Sequence, residues 1–270
     1  MAWLVLFASN KTGSEFFVHK LLIFVSLNSL EARCLIGFDD VFAKDFFDWN
    51  DKNYSSLGST LPSVNLMEND KQIKIDLVSD IACPWCAIGY ARLEQALSSL
   101  PDITASIEWH AFELNPDKNM AKEPILPALS RKYGRPEAEM RAAQENMIRI
   151  ATELGLNFSN MQQRYTCNTF DAHRLVKWAA SQHKATAMKQ ALFNAYFGEA
   201  ADVSNHEVLL HCAQSAGLDK DAAAKILATD EYADIVDADI ARYQHAGISS
   251  VPAFIINNKF IRQAFILLVL

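Results

Sequence analysis

The chain predicts an α/β fold in which a small sheet is interrupted by a large all-helical insertion. Three observations carry this expectation. An alternating apolar run, Ile73-Lys74-Ile75-Asp76-Leu77-Val78, gives way to a helical pattern at Cys83-Pro84-Trp85-Cys86. A short apolar strand follows Val251-Pro252 far downstream. Between about residues 119 and 245, apolar residues recur at three-to-four spacing, the period of helices that bury one face.

The elements follow in order. Residues 71–118 read as strand 73–79, helix 84–99 and strand 104–112. Pro84 suits the first helical turn, where its missing N–H would have no partner in any case. Residues 119–245 read as the insertion, with helices at 136–154, 170–182, 185–198, 204–216 and 231–245. Pro136 opens the first of these, and Ser204-Asn205-His206-Glu207 reads as a capping box before Val208-Leu209-Leu210. The basic stretch Arg131-Lys132-Tyr133-Gly134-Arg135 reads as a solvated helix end. Residues 246–270 supply a loop, then Pro252 at a strand start, where its lack of a ladder donor is tolerated. A strand at 253–257, a turn and a second strand follow. Residues 1–70 read as a mobile extension: Met1 to Ala8 is apolar but has no basic n-region, Phe38 to Asp51 is acidic and aromatic, and Asn53 to Asn69 is linker-like.

Composition narrows the function. Half of the 270 residues are hydrophobic and the net charge is −7. No basic patch carries interleaved aromatics, so nucleic acid is not an expected partner. No apolar run has the length of a membrane-spanning helix, so no membrane partner is expected. Five cysteines with one evident pair form no disulfide framework, which suits a reducing, cytoplasmic setting.

The chemistry centres on the Cys-x-x-Cys. Cys83 stands at a helix N-terminus, where unpaired N–H groups and the helix dipole favour a thiolate. Cys86 follows one turn on and can reach back to close a disulfide, so Cys83 is the candidate nucleophile and Cys86 the resolving thiol. Structural zinc is the competing use of this spacing, but Cys34, Cys167 and Cys212 are isolated and no metal is expected. Asp80, three residues before Cys83, could disfavour the thiolate or shuttle its proton; the plainer reading is a helix cap. His110 and His173 lie in apolar surroundings and read as hydrogen-bonding core residues.

The stretch from Lys74 to Gly89 resembles the opening of FrnE-like proteins, a cytoplasmic branch of the DsbA-type thioredoxin-fold oxidoreductases. Trp109-His110-Ala111-Phe112-Glu113-Leu114-Asn115-Pro116, Asn168-Thr169-Phe170-Asp171-Ala172-His173-Arg174-Leu175, Ala195-Tyr196-Phe197 and Val251-Pro252 match in order, covering about residues 72 to 262. The resemblance implies a thioredoxin-like fold split by the insertion. It implies that Cys83 forms a mixed disulfide and that Cys86 resolves it. Pro84 and Trp85 would tune the redox poise, Trp85 either joining an apolar substrate platform or packing at the domain seam. Pro252 would be cis and face the dithiol, with Val251 offering backbone groups to an extended substrate. Expected partners are thiol- or disulfide-containing proteins or small molecules, with glutathione an eligible co-substrate, no tightly bound cofactor, and homodimerisation left open.

Two alternatives remain. The same superfamily holds 2-hydroxychromene-2-carboxylate isomerases and kappa-class glutathione transferases, which carry serine where Cys83 stands, so a glutathione-dependent transferase or isomerase is one. A non-catalytic thioredoxin-like binding module or redox sensor is the other. The chain departs from the family pattern at about Arg262 and ends at Leu270, so the C-terminal helix of the fold is expected to be missing, with loss of stability or activity.

Overall fold

The strand that leads to the Cys-x-x-Cys begins at Gln72, and its apolar–polar alternation runs as far as Leu77. The computed structural model describes residues 72–258, together with the backbone of four further strands, Ala2–Val5 (β1), Leu22–Val25 (β2), Cys34–Gly37 (β3) and Phe260–Gln263 (β7). The chain divides into two compact units. Residues 1–73, 94–105 and 265–267 form one, which holds an antiparallel sheet in the order β1-β2-β3. Residues 74–93, 106–264 and 268–270 form the other. The expected mobile extension and missing final helix lie, apart from β1 to β3, outside the described residues.

Gln72–Ser79 forms β4, in which every residue from Ile75 to Ser79 is buried. A strand covered on both faces has no need of strict alternation, which is why Val78 follows Leu77 with no polar residue between them. Pro84–Ser98 forms α1, Thr104–Ala111 forms β5 and Ala253–Ile256 forms β6. The sheet order is β5-β4-β6-β7, with β6 antiparallel to both neighbours and Leu77 opposite Phe254. Leu77, Ile81 and Ile88 are wholly or almost wholly buried, and each such side chain contributes about 1.5–3 kcal/mol of hydrophobic stabilisation.

The insertion is helical, as the periodicity predicts. Its elements are α2 (Ile125–Tyr133), α3 (Glu137–Glu153), α4 (Phe170–Ala180), α5 (Ala185–Phe193), α6 (His206–Ser215), α7 (Lys220–Leu227) and α8 (Ala233–His245). The expected helix 185–198 divides, because α5 ends at Phe193 and a π-turn occupies Asn194–Gly198. Two short helices, α2 and α7, fall in stretches given no boundaries from sequence. Arg131 and Lys132 occupy the last turn of α2, before Gly134 in the left-handed conformation, so the solvated helix end is there.

The expected capping box is corrected by one residue. Asn205, not Ser204, caps α6: its Oδ1 accepts from the N–H of Glu207 at 2.8 Å and of Val208 at 3.4 Å. Ser204 instead turns back to Asp202, its N–H donating to Oδ1 at 3.0 Å.

Two features aim the insertion and the late strands at the dithiol end of α1. Trp109 of β5 donates from Nε1 to Thr186 Oγ1 at 2.9 Å and packs against Tyr90 and Phe193, with centroids 5.0 and 6.4 Å away. Aromatic pairs of this kind add about 0.5–1.5 kcal/mol each beyond burial. Gly89 lets α1 lie close to β6: a Cβ there would stand 3.1 Å from Phe254 Cζ and 3.3 Å from Pro252 Cγ.

A charge network ties β4, β5, α4 and α8. His110 Nε2 lies 2.9 Å from Asp76 Oδ1, and Nδ1 lies 3.2 Å from Asp239 Oδ1. Asp239 also accepts the Ala111 N–H at 3.1 Å and pairs with Lys177, whose Nζ donates to the Trp109 carbonyl at 2.9 Å. Burial pushes the Asp239 carboxyl up, but His110 and Lys177 outweigh it and hold the group at about 2. A carboxyl held below its unfolded value of 3.8 contributes stability at neutral pH, and that contribution is lost as pH falls through about 4 to 2. Asp239→Asn is therefore expected to lose about 2 kcal/mol at pH near 7, with the gap from wild type narrowing below pH about 4. Urea unfolding across that range measures it.

Candidate active site

The site begins where β4 ends. The Cys83 N–H donates to the Asp80 carbonyl at 3.3 Å, closing the turn that delivers the chain into α1, and the Cys86 N–H donates to the Cys83 carbonyl at 3.1 Å. Cys83 therefore stands at the start of the helix, with Pro84 and Trp85 half-buried beside it and Cys86 fully buried one turn on. Both cysteines are free thiols.

After α8, Gly247 adopts φ 82°, a conformation that favours glycine, and turns the chain into the loop before β6. That loop brings Val251 and Pro252 to the dithiol across 168 residues of sequence separation. The Cys83 Sγ donates to the Val251 carbonyl at 3.6 Å, and the Val251–Pro252 peptide is cis. Five of the seven candidate residues, Cys83, Pro84, Trp85, Cys86 and Asp80, lie in one turn, and Val251 and Pro252 face it.

The expected thiolate at Cys83 is not favoured in this closed arrangement. The neighbouring Cys86 thiol, then burial, then the Asp80 charge push the Cys83 thiol well above its ordinary value, although the Cys86 N–H at the helix start pulls the other way. At 4% exposure, Cys83 lacks the water that a helix-terminal thiolate ordinarily keeps.

Asp80 is placed differently from a helix cap. Its carboxylate is 1% exposed and accepts from Ala82 N–H at 3.1 Å, Leu114 N–H at 2.7 Å and Thr169 Oγ1 at 2.8 Å. None of these donors belongs to the first turn of α1. The group instead fastens the Cys83 turn to the segment after β5 and to the start of α4. Burial alone would raise the Asp80 carboxyl, yet His173 and the two N–H donors leave it below the usual range. His173, buried and drawn down by burial and by Lys189, has Nε2 at 3.0 Å from the Phe112 carbonyl, so that nitrogen carries the proton. His110 and His173 are thus hydrogen-bonding core residues.

Three charged residues at this end were not singled out from sequence. Lys189 of α5 is 1% exposed, and its Nζ donates to the Ser79 carbonyl at 3.4 Å. Its signal was present: it shares the apolar stripe of Met188, Leu192 and Phe193, a core position for a charge. Glu113, in the segment after β5, accepts from Asn168 Nδ2 at 2.9 Å, and burial followed by the Asp80 charge raises its carboxyl to about 7. Arg164 is buried against the Tyr196 and Phe197 rings, 5.3 and 5.2 Å from their centroids, and donates to Gln144 Oε1 at 3.3 Å.

A grouping of potential metal donors among the described residues, Asp76, Glu108 and His110, lies away from the dithiol, and the Lys74 ammonium already bridges its two carboxylates at 3.1 and 2.6 Å. Among the described residues no helix is long and apolar enough to cross a membrane.

Comparison with known proteins agrees with this architecture. The Bacillus subtilis protein YwbO, itself uncharacterized, is 28% identical over 196 residues, covering 71% of this chain and 90% of its own. The crystal structure of a probable DsbA oxidoreductase from Streptomyces coelicolor superposes with a TM-score of 0.67 at 31% identity, covering 71% of this chain and 83% of that one. The cytosolic disulfide reductase DsbM from Pseudomonas aeruginosa, solved with GSH, shares the fold at 17% identity and a TM-score of 0.51, over 70% of this chain and 89% of that one. The DSBA-like thioredoxin domain matches residues 74–266, and the chain belongs to that family of thioredoxin-fold proteins.

Proposed function

We propose that this chain is a thiol–disulfide oxidoreductase whose exchanging pair is Cys83 and Cys86. The observation that carries the reading is the Cys83 Sγ facing the Val251 carbonyl at 3.6 Å, with Cys86 following in the first turn of α1. A substrate lying along the loop before β6 would bring its sulfur to Cys83, while Cys86, fully buried, stays shielded until a mixed disulfide has formed.

The reaction runs in two exchanges. The Cys83 thiolate attacks one sulfur of a substrate disulfide; that S–S bond breaks, a Cys83–substrate disulfide forms, and the other sulfur leaves as a thiolate that takes up a proton. Cys86 gives up its proton and attacks the Cys83 sulfur, which releases the second substrate thiol. Two electrons pass from the protein to the substrate and leave a Cys83–Cys86 disulfide. Two thiols of a reductant such as glutathione restore the dithiol and become a disulfide themselves. Oxidation of a substrate dithiol is the same path reversed. Cys167 and Cys212 are buried and free, and burial pushes each thiol up to about 12, so neither competes as a nucleophile.

Two assays on the full chain test this. With glutathione as reductant, the protein is expected to reduce a disulfide-bonded protein such as insulin catalytically, and to show no conjugation of glutathione to an aromatic electrophile above background. Conjugation without disulfide exchange would replace the reading by a glutathione transferase. Slow stoichiometric oxidation with no turnover in either assay would replace it by a redox sensor or binding module.

A further inference from the structure

The buried ammonium of Lys189 is not explained by packing. Met188, Leu192 and Phe193 make its stripe apolar, and an apolar side chain of the same length would fill the position. Among the described residues no carboxylate pairs with it; it makes the 3.4 Å hydrogen bond to the Ser79 carbonyl and lies 5.4 and 5.5 Å from the Trp109 and Phe193 ring centroids. A desolvated charge with so little compensation is a cost to the fold, which points to a use for it.

The groups around it show where the charge acts. Its Nζ is held at the Ser79 carbonyl, one residue before Asp80, and over the Trp109 ring, which packs on Tyr90 one turn beyond Cys86, so the ammonium sits at the dithiol end of α1. Cys86 in α1 and Cys83 just before it both attract the charge. Asp80, at the end of β4, attracts it as well, and Lys177 of α4 repels it. His173, also of α4, is disfavoured in its charged form by it. Burial draws the Lys189 ammonium down to about 8, so it is still charged at neutral pH.

We propose that Lys189 is a positioning residue of the dithiol, whose ammonium stabilises the thiolate that Cys86 becomes when it resolves a mixed disulfide at Cys83. This rests on the exchange reading above. At resolution the Cys86 S–H proton passes to water or buffer, the thiolate attacks the Cys83 sulfur, the bond from Cys83 to the substrate breaks, and the substrate thiolate takes up a proton. Negative charge thus develops on a fully buried sulfur. The Lys189 charge is the compensating one.

The test reacts the reduced full chain with an aromatic disulfide whose thiolate is coloured. The first thiolate released reports attack by Cys83, and the second reports resolution by Cys86. Both rates are followed from about pH 5 to about pH 10 for wild type, Lys189→Met, and Lys220→Met as a surface control that removes the same charge. Lys189→Met is expected to slow the second release about tenfold or more near pH 7, to move its half-maximal pH up by about one unit, and to rejoin wild type near pH 10, where Lys189 has lost its proton. The first release moves less, and Lys220→Met follows wild type in both. A folded Lys189→Met with the wild-type curve overturns the proposal. Should methionine prevent folding, Lys189→Gln is judged by the same curve. The wild-type curve decides on its own as well: a second inflection where Lys189 titrates supports the proposal, and a single titration contradicts it. A wild type with no second release refutes the dithiol reading itself, which separates the two failures.

Discussion

Alanine in place of Cys86 is expected to stop turnover and leave Cys83 covalently bonded to its substrate. With the resolving thiol gone, the mixed disulfide can be cleared only by an external thiol, which has to enter a site where Cys83 is 4% exposed. Steady-state exchange should fall at least about a thousandfold, as is usual when one member of a paired catalytic unit is lost. Cys83→Ala should fall as far but accumulate no adduct, because Cys86 is fully buried and has no path to substrate. Non-reducing gels with mass measurement separate the two variants. The fold should survive both, since each change removes only one sulfur from a well-packed turn. A Cys86→Ala protein that turns over normally would leave the exchange scheme without its second step.

Asp80→Ala is expected to be the most destabilising single change at the site. It leaves the N–H groups of Leu114 and Ala82 and the hydroxyl of Thr169 without their acceptor, at 2.7, 3.1 and 2.8 Å in the native protein. A buried donor left unsatisfied costs about 1–3 kcal/mol, and loss of a buried charged group with its partners about 3–5 kcal/mol. Asp80→Asn separates charge from volume, because it keeps the shape but turns an NH2 group toward donors. Both variants should melt well below wild type at neutral pH. The sign with pH follows from the direction of the shift: a carboxyl held below its unfolded value stabilises at neutral pH and ceases to do so as acid protonates it. The deficit should therefore shrink in acid. Asp80 also disfavours the Cys83 thiolate, so Asp80→Asn, where folded, should be alkylated faster at Cys83 near neutral pH. Faster alkylation with an unchanged melting temperature would mean that the carboxylate tunes the thiol without holding the turn.

Much of this was legible because local chemistry and tertiary structure agree. The Cys83 turn could be read because an apolar strand, a proline suited to a first turn and a helical stripe meet there. The loop at Val251 and Pro252 could be read because a proline ahead of an apolar run has few places in a sheet. The insertion showed through its period, down to the ends of α3 and α4 within one or two residues.

What was missed depends on partners distant in sequence. Lys189 interrupts an apolar stripe by a single residue, and nothing local says that its Nζ will meet the Ser79 carbonyl 110 residues earlier. Glu113 lies in a motif whose neighbours give no sign that Asp80 and Asn168 will flank it. Asp80 read as a cap because aspartate before a helix ordinarily is one, whereas here its acceptors are taken by Leu114 and Thr169. The thiolate expected at Cys83 from its place at the helix start is disfavoured by the second thiol and by burial, and only the Cys86 N–H pulls the other way. The short helices α2 and α7 escaped because eight or nine residues barely complete two turns, too few for a periodic signal.

The central claim is that Cys83 and Cys86 form one reversible two-electron couple. Equilibration of the full chain in glutathione buffers of graded ratio, acid quenching, alkylation and mass counting test it most directly. The expected result is that both cysteines lose alkylation together along a single two-electron curve, with peptide mapping placing the bond between residues 83 and 86. About 30 mV along that curve corresponds to about 1.4 kcal/mol, so its midpoint also sets the direction in which the protein works. A Cys83–glutathione adduct at every ratio, with Cys86 alkylated throughout, would contradict the account.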